Sequence, residues 1–359
     1  MTVTVHTPDG LAAGDLAAWS ALQQSSPALA SPFLSAQFAQ AVGRQRPSAR
    51  VAVLSDAAGP VGYFPFERHR LGLGMPIGSG LCDTQGLIHA PGLDWDVQEL
   101  LRACRLYLWR YDHLTADQGP FDRGVVRRSA SPVIDLAQGF EAYAAELRAR
   151  SRERTRQLEA KERRLRRTLG EVRLVFDDPS PVSLDTLMRW KSAQYRAKGQ
   201  VDLFAGPSVV ALLRELHLTR AADCSGILST LYAGEQPVAV HFGLRSRRVL
   251  QYWFPAYAPE AARFSPGILL LLKMAGAAAA QGVECLDLGK GDARYKHEMK
   301  TGDRPLGEGW VSLGTVPAAL RHAQMASVQR MRAVVAGSPA LRRIALKALD
   351  VRHRAARRS

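Results

Sequence analysis

Cysteine is scarce in this chain: four among 359 residues, at Cys82, Cys104, Cys224 and Cys285, with no CxxC pair. That spacing excludes a disulfide framework and a cysteine-built zinc site, and predicts reduced core thiols of a cytoplasmic protein with no metal. Long apolar runs are missing as well. The longest, ILLLLKMAGAAAA, covers 13 residues from Ile268 and contains Lys273, which is too short to span a bilayer. The opening MTVTVHTPDG has neither a basic n-region nor an apolar h-region, so no secretory signal is expected. HExxH, GxSxG, Walker-type and kinase signatures are all absent, which leaves metalloprotease, hydrolase and NTPase readings without support. GLGMPIG at residues 72–78 has the glycines of a dinucleotide loop but lacks the helix and acidic residue that complete one.

Cationic residues, by contrast, are plentiful and unevenly placed. Residues 148–167 hold ten Lys and Arg against three Glu, and residues 330–359 hold nine against one Asp. Together the two segments account for the whole formal net charge of +15. The basicity therefore belongs to two helical stretches and not to the surface at large. Such stretches are either solvated helices or meet phosphate on nucleotide, RNA or an anionic membrane face.

Periodicity and turn residues divide the chain into four parts. Residues 1–135 form an N-terminal α/β unit, with helices at Ala17–Leu22 and Ser35–Val42 and strands at Arg50–Leu54 and Val61–Arg68. Residues 136–170 form one long basic helical connector with a narrow apolar stripe (Tyr143, Leu147, Leu158, Leu165, Leu169) and i,i+4 pairs Glu159/Arg163 and Glu162/Arg166. Residues 171–316 form a second α/β unit, and 317–359 a basic helical tail. GPVGYFPFERHR at 59–70 and QPVAVHFGLRSRR at 236–248 share a turn, a Pro-Val pair, an apolar strand and trailing basic residues, a sign of internal duplication. A strand–helix–strand run over 249–288 makes the second unit a mixed α/β domain.

Three stretches in that unit can carry chemistry. In RFSPGI, Ser265 stands at an N-cap position, Pro266 at the first helical position, and Gly267 leaves the helix start bare. Free N–H groups from Ser265 to Ile268 and a positive helix end make an anion site there, with Arg263 beside it; an ordinary capped helix has the same residues. In QYWFPAY, Pro255 is expected to stop strand pairing near Phe254, leaving backbone groups of Tyr252, Trp253 and Phe254 open to an amide-bearing ligand, unless this is a plain edge strand. In LDLGKGDARYKHEMK, Asp287, Asp292, Tyr295 and Lys296 follow a strand end, where ligands sit in open α/β sheets; the other reading is a solvated hairpin. His241, inside VAVHFGL, is a satisfied core histidine or a further base.

The order Ser265–Pro266–Gly267, Gly289–Lys290–Gly291–Asp292, Tyr295–Lys296 resembles the GNAT-superfamily acyltransferases associated with cellulose biosynthesis (the CelD/BcsL type). The resemblance extends to WSAL, SPFLS at 31–35, PVIDL…ELRARSRERTRQ, LMRWKSAQYRAKG and GEQPVAVHFGL, spanning residues 15–310. It implies a tandem pair of GNAT-like α/β acyl-CoA N-acyltransferase domains, similar to the peptidoglycan-bridge aminoacyltransferases, joined by the long basic helix, with the acyl-CoA site in the second. The strand Val249–Phe254 would then hold the pantetheine amides, and Ser265–Ile268 the CoA diphosphate.

The expected reaction is direct transfer of an acyl group, acetyl in the first instance, from acyl-CoA to an amine or hydroxyl of a small or saccharide-linked acceptor. Asp292, or Asp287 or His241 through water, would deprotonate the acceptor, Tyr295 would protonate the departing thiolate, and Lys296 would hold an anionic group. Two other readings stay open: an aminoacyl-tRNA-dependent transferase whose basic segments grip RNA, and a non-catalytic adaptor whose basic C-terminus touches an anionic membrane as a peripheral contact.

Overall fold

A computed structural model describes residues 1–314. The basic tail expected over 317–359 lies outside the described residues. The first unit contributes strands β1 (Thr2–His6), β2 (Ala49–Ser55), β3 (Pro60–Arg68), β4 (Leu73–Pro76), β5 (Ile88–His89), β6 (Leu108–Leu114) and β7 (Val125–Asp135), with helices α1 (Ala13–Gln24), α2 (Ala36–Gln45) and α3 (Val97–Ala103). After helices α4 (Phe140–Arg150) and α5 (Arg152–Leu169), the second unit runs through β8 (Val172–Phe176), α6 (Pro181–Ala197), α7 (Pro207–Leu218), β9 (Arg220–Ala221), β10 (Cys224–Ala233), β11 (Gln236–Arg245) and β12 (Val249–Tyr257). It ends with α8 (Pro266–Ala280), β13 (Cys285–Asp287), α9 (Arg294–Met299) and β14 (Gly302–Ser312).

The two units repeat one plan: a strand, two helices, three antiparallel strands, a helix, and a strand parallel to the one before that helix. The segments that look duplicated in sequence fall on β3 and β11, the third strand of each repeat. The class is mixed α/β, as expected. The last strands are exchanged, however. The sheet runs β1-β2-β3-β4-β6-β14-β7-β13-β12-β11-β10-β8, so β14 of the second unit pairs with β6 of the first, and β7 of the first pairs with β13 of the second.

One buried ion pair ties this crossing together. Arg304 of β14 lies 2.6 Å from the Asp287 carboxylate of β13, and Ser131 of β7 donates to the same carboxylate. Asp287 is fully buried, so its charge is tolerated only because these partners replace water.

Helices α1, α2, α6 and α7 form a shared layer inside the sheet, where Trp19, Phe38 and Val42 meet the core that holds Leu187, Leu213 and Phe242. Behind the second half, α8 buries Leu270, Leu271 and Met274 against the strands, each worth about 1.5–3 kcal/mol. The basic connector is two helices and not one. Ser151 leaves helical geometry (φ −153°, ψ 75°), and Arg150 beside it donates to the carbonyls of Lys300 and Glu298. Beyond that break α5 buries only Leu158 and Leu165, the narrow stripe expected, while Glu162 pairs with Lys273 of α8 at 2.8 Å and not with Arg166. Among the described residues no helix is long and apolar enough to cross a membrane.

Candidate active site

Strand β12 is where the second sheet opens. It pairs with parallel β13 only from Val249–Cys285 to Gln251–Asp287, and then the two part. Pairing with β11 does not stop at Phe254 as Pro255 suggested; it continues to Tyr257, so the freed edge faces β13 and not β11. Proline is tolerated there because its missing N–H falls on a strand that keeps a partner on one side only. At the parting point β12 carries a bulge: three steps from Gln251 to Phe254 oppose two from Leu244 to Phe242. Gly243 permits it, since a Cβ there would lie 2.0 Å from the Gln251 carbonyl oxygen.

The bulge sorts the aromatic residues. Phe254 is buried in the shared helical core against Phe204, 5.3 Å between ring centroids, so only its backbone is available to a ligand. Trp253 donates from Nε1 to the carbonyl of Leu81 at 3.0 Å, pinning a first-unit loop onto the open strand. Tyr252 stacks on His241 at 4.5 Å, its hydroxyl donates to the Gly267 carbonyl at 3.4 Å, and its ring stands 6.4 Å from Tyr295. A single side chain thus spans from the helix start to the charged cluster.

The α8 start departs from the expected cap. Ser265 is left-handed (φ 53°), closing a short 3-10 turn over Pro259–Phe264, and its side chain does not cap the helix. Such a conformation costs a non-glycine residue about 1–2 kcal/mol. Its N–H goes to the Ala262 carbonyl and that of Ile268 to the Ser265 carbonyl, so the bonds expected from Ser265 and Ile268 to an anion are already spent. Pro266 is buried and has no N–H. Gly267 keeps the surface open. Arg263 is exposed and folds over the Phe264 ring at 4.7 Å. The cation nearest the junction is Lys161 of α5, whose Nζ donates to Ser265 Oγ at 2.8 Å.

The ionisable residues after β13 separate into different surroundings. Asp287 accepts from Gly289 N–H at 2.9 Å and from Ser131, with Arg304 paired at its other oxygen, so the carboxylate is held inside the sheet. Asp292 is exposed, ahead of α9, and near enough to Lys296 to act on its charge. His241 is fully buried, and neither ring nitrogen has a well-formed hydrogen bond. Burial, with Lys191 nearby, pushes its pKa down to about 3, which makes it a neutral ring and a weak base. Burial pushes Tyr295 up to about 12, well above a thiol, so its phenol stays protonated. Lys296 donates to the carbonyls of Gly289 (2.8 Å) and Lys290 (3.1 Å); burial lowers its pKa, opposed by Asp83, Asp287 and Asp292.

Two residues in the cleft escaped the sequence reading. Lys191 of α6 donates to the Pro255 carbonyl at 3.0 Å, and burial lowers its pKa to about 8. Asp83 arrives from the first unit, on the loop that Trp253 pins. Nothing in their local sequence marks them, apart from the glycines around Asp83 that signal a loop of unusual backbone.

A CoA thioester fits what is here. The side-chain amide of Gln251 (1% exposed), on the last β12 residue paired with β13, has no hydrogen-bond partner, and Gly267 leaves the adjoining helix start bare. Buried polar atoms without partners are the groups an amide-bearing ligand satisfies.

Residues 151–297 match the family described as acetyltransferase (GNAT) domain. The fold as a whole is that of tandem GNAT proteins. The crystal structure of FemX covers 90% of this chain and 99% of its own, with TM-score 0.59 and 11% identity. A tandem GNAT protein from the clavulanic acid biosynthesis pathway covers 88% of this chain and 99% of its own, with TM-score 0.50 and 9% identity. No curated protein matches the sequence.

Proposed function

We propose that the protein transfers an acyl group, acetyl in the first instance, from acyl-CoA to an amine or hydroxyl of a small or saccharide-linked acceptor. The observation that carries this reading is the parting of β12 from β13 after Gln251–Asp287, directly beside the bare start of α8. The freed edge of Tyr252–Tyr257 binds the pantetheine amides, while the Gly267 backbone and Lys161 receive the diphosphate. This places the thioester at the mouth of the gap, near Tyr295. Tyr295 donates a hydrogen bond to the charge that builds on the reacting carbonyl or on sulfur. Holding the acceptor in contact with the thioester lowers the barrier by up to about 7–11 kcal/mol. Calorimetry with acetyl-CoA and longer acyl-CoAs tests the reading: saturable heat is expected with at least one, and no heat and no thermal shift with any of them removes it.

A second reading, transfer from aminoacyl-tRNA, is favoured by one feature: α5 exposes Arg152, Arg156, Arg163, Arg164, Arg166 and Arg167 on a single helix. It requires tRNA binding that weakens steeply as salt rises, because each phosphate contact releases counterions. Filter binding at low and moderate salt separates the two readings.

A further inference from the structure

Between the two units lies an acid facing an amine across a space that only glycine leaves open. Leu81 is tied down by Trp253, and Thr84 accepts from Arg304 at 2.8 Å, so Asp83 is held from both sides. A Cβ on Gly289 would lie 3.3 Å from Asp83 Oδ2 and 3.8 Å from Lys296 Nζ. Carboxylate and ammonium therefore border the same point, just past the end of β13, yet they form no ion pair with each other. Lys191 stands on the opposite wall, on α6, close enough to repel Lys296. Each lysine gives only part of its three N–H donors to backbone carbonyls.

We propose that Asp83 of the first unit takes the proton from an acceptor amine in the second unit's site, and that Lys191 and Lys296 hold an anionic group of that acceptor. The acceptor is thereby a small molecule with a primary amine and a carboxylate or phosphate. This rests on the acyltransferase reading. In the step itself the amine nitrogen bonds to the thioester carbonyl carbon and the carbon–sulfur bond breaks. The amine proton passes to Asp83 and from there, through solvent, to the CoA sulfur, which leaves as the thiol.

Asp83 keeps 30% of its side-chain surface open, enough for a substrate to reach it, while the surrounding protein pushes its pKa up to about 6. The groups facing it are His113 (3.8 Å) and Asp112 of β6, Asp287 of β13, Lys296 of α9 and Tyr195 of α6. A base tuned close to the working pH is the most effective kind. Its ionised form is the active one, so activity falls as pH drops through about 6.

The test measures thiol release from acetyl-CoA with glycine and phosphoethanolamine as acceptors, against glycinamide and ethanolamine. At least one charged probe is expected to exceed its uncharged counterpart by tenfold or more in kcat/KM. Lys191→Gln and Lys296→Gln should raise KM for that probe. Asp83→Asn should lower kcat by about 10²–10⁴ and abolish the acid limb near pH 6, with the heat of acetyl-CoA binding unchanged. Wild-type kcat and an intact acid limb in Asp83→Asn overturn the role of Asp83. Equal turnover of charged and uncharged probes, or no turnover of either charged one, overturns the acceptor class. Absence of acetyl-CoA heat in the wild type defeats the acyltransferase reading and this inference with it.

Discussion

In the first unit, parallel strands β4 and β6 pair at Leu73–Leu108 and Gly74–Trp109 and then part, much as β12 and β13 do in the second. There the likeness ends. Gln85 returns to bridge β6 at Leu114, and Trp95, Trp109, Tyr111 and Phe121 pack into one cluster behind the strands. Helix α3 begins with Asp96, whose carboxylate accepts from Glu99 N–H at 2.8 Å, so a carboxylate already holds the helix end where a phosphate would sit. In the second unit β12 pairs with β13 only as far as Gln251, and α8 starts without an acid. One plan thus yields a filled copy and an open copy. The chain that leaves β4 in the filled copy is not idle: it carries Leu81, Asp83 and Thr84 across to the open one.

The strongest way to break this arrangement is at the strand exchange. Arg304→Met strands the Asp287 charge in the core and should cost about 3–5 kcal/mol in urea unfolding, whereas the double change with Asp287→Asn recovers part of the loss. Next comes the bulge. Gly243→Ala forces a Cβ against the Gln251 carbonyl; we expect about 1–3 kcal/mol of destabilisation and loss of acyl-CoA binding, read by melting and calorimetry. A gentler change makes the open copy resemble the filled one. Gly267→Asp puts a carboxylate at the α8 start, where space exists (the nearest atom, on Tyr257, is 3.6 Å from a Cβ), and should weaken acyl-CoA by about tenfold or more, close to 1.4 kcal/mol, with little change in melting temperature. Last, Asp96→Ala removes the α3 cap and should cost about 1 kcal/mol while leaving acyl-CoA affinity untouched.

Much of this was legible in the residues, for identifiable reasons. The repeat on β3 and β11 is local, and so is the order of strand, Ser-Pro-Gly, helix and strand around α8, because hydrophobic period and turn chemistry act over neighbouring positions. Tyr252 does meet Gly267 and Tyr295, since a short strand–helix–strand path brings them together, whereas Lys296 turns back to the Gly289 and Lys290 carbonyls. What escaped was non-local. Ser265 reads as a capping serine, but Lys161, from 104 positions earlier, draws its hydroxyl away. Pro255 reads as the end of pairing, yet which edge it frees depends on β13. Asp287 reads as a reactive acid until Arg304 of β14 pairs with it and Ser131 of β7 donates to it. Asp83 lies over 200 positions from Lys296, and no spacing rule links residues brought together by an exchange of strands between units.

The central claim is that one of two similar units binds acyl-CoA, at the start of α8. Its most direct test is the calorimetric stoichiometry of acetyl-CoA on the wild type and on Gly267→Asp. The account predicts one site per chain, lost or at least tenfold weaker in the variant. Two equal sites, or a single site that Gly267→Asp leaves unchanged, would contradict it.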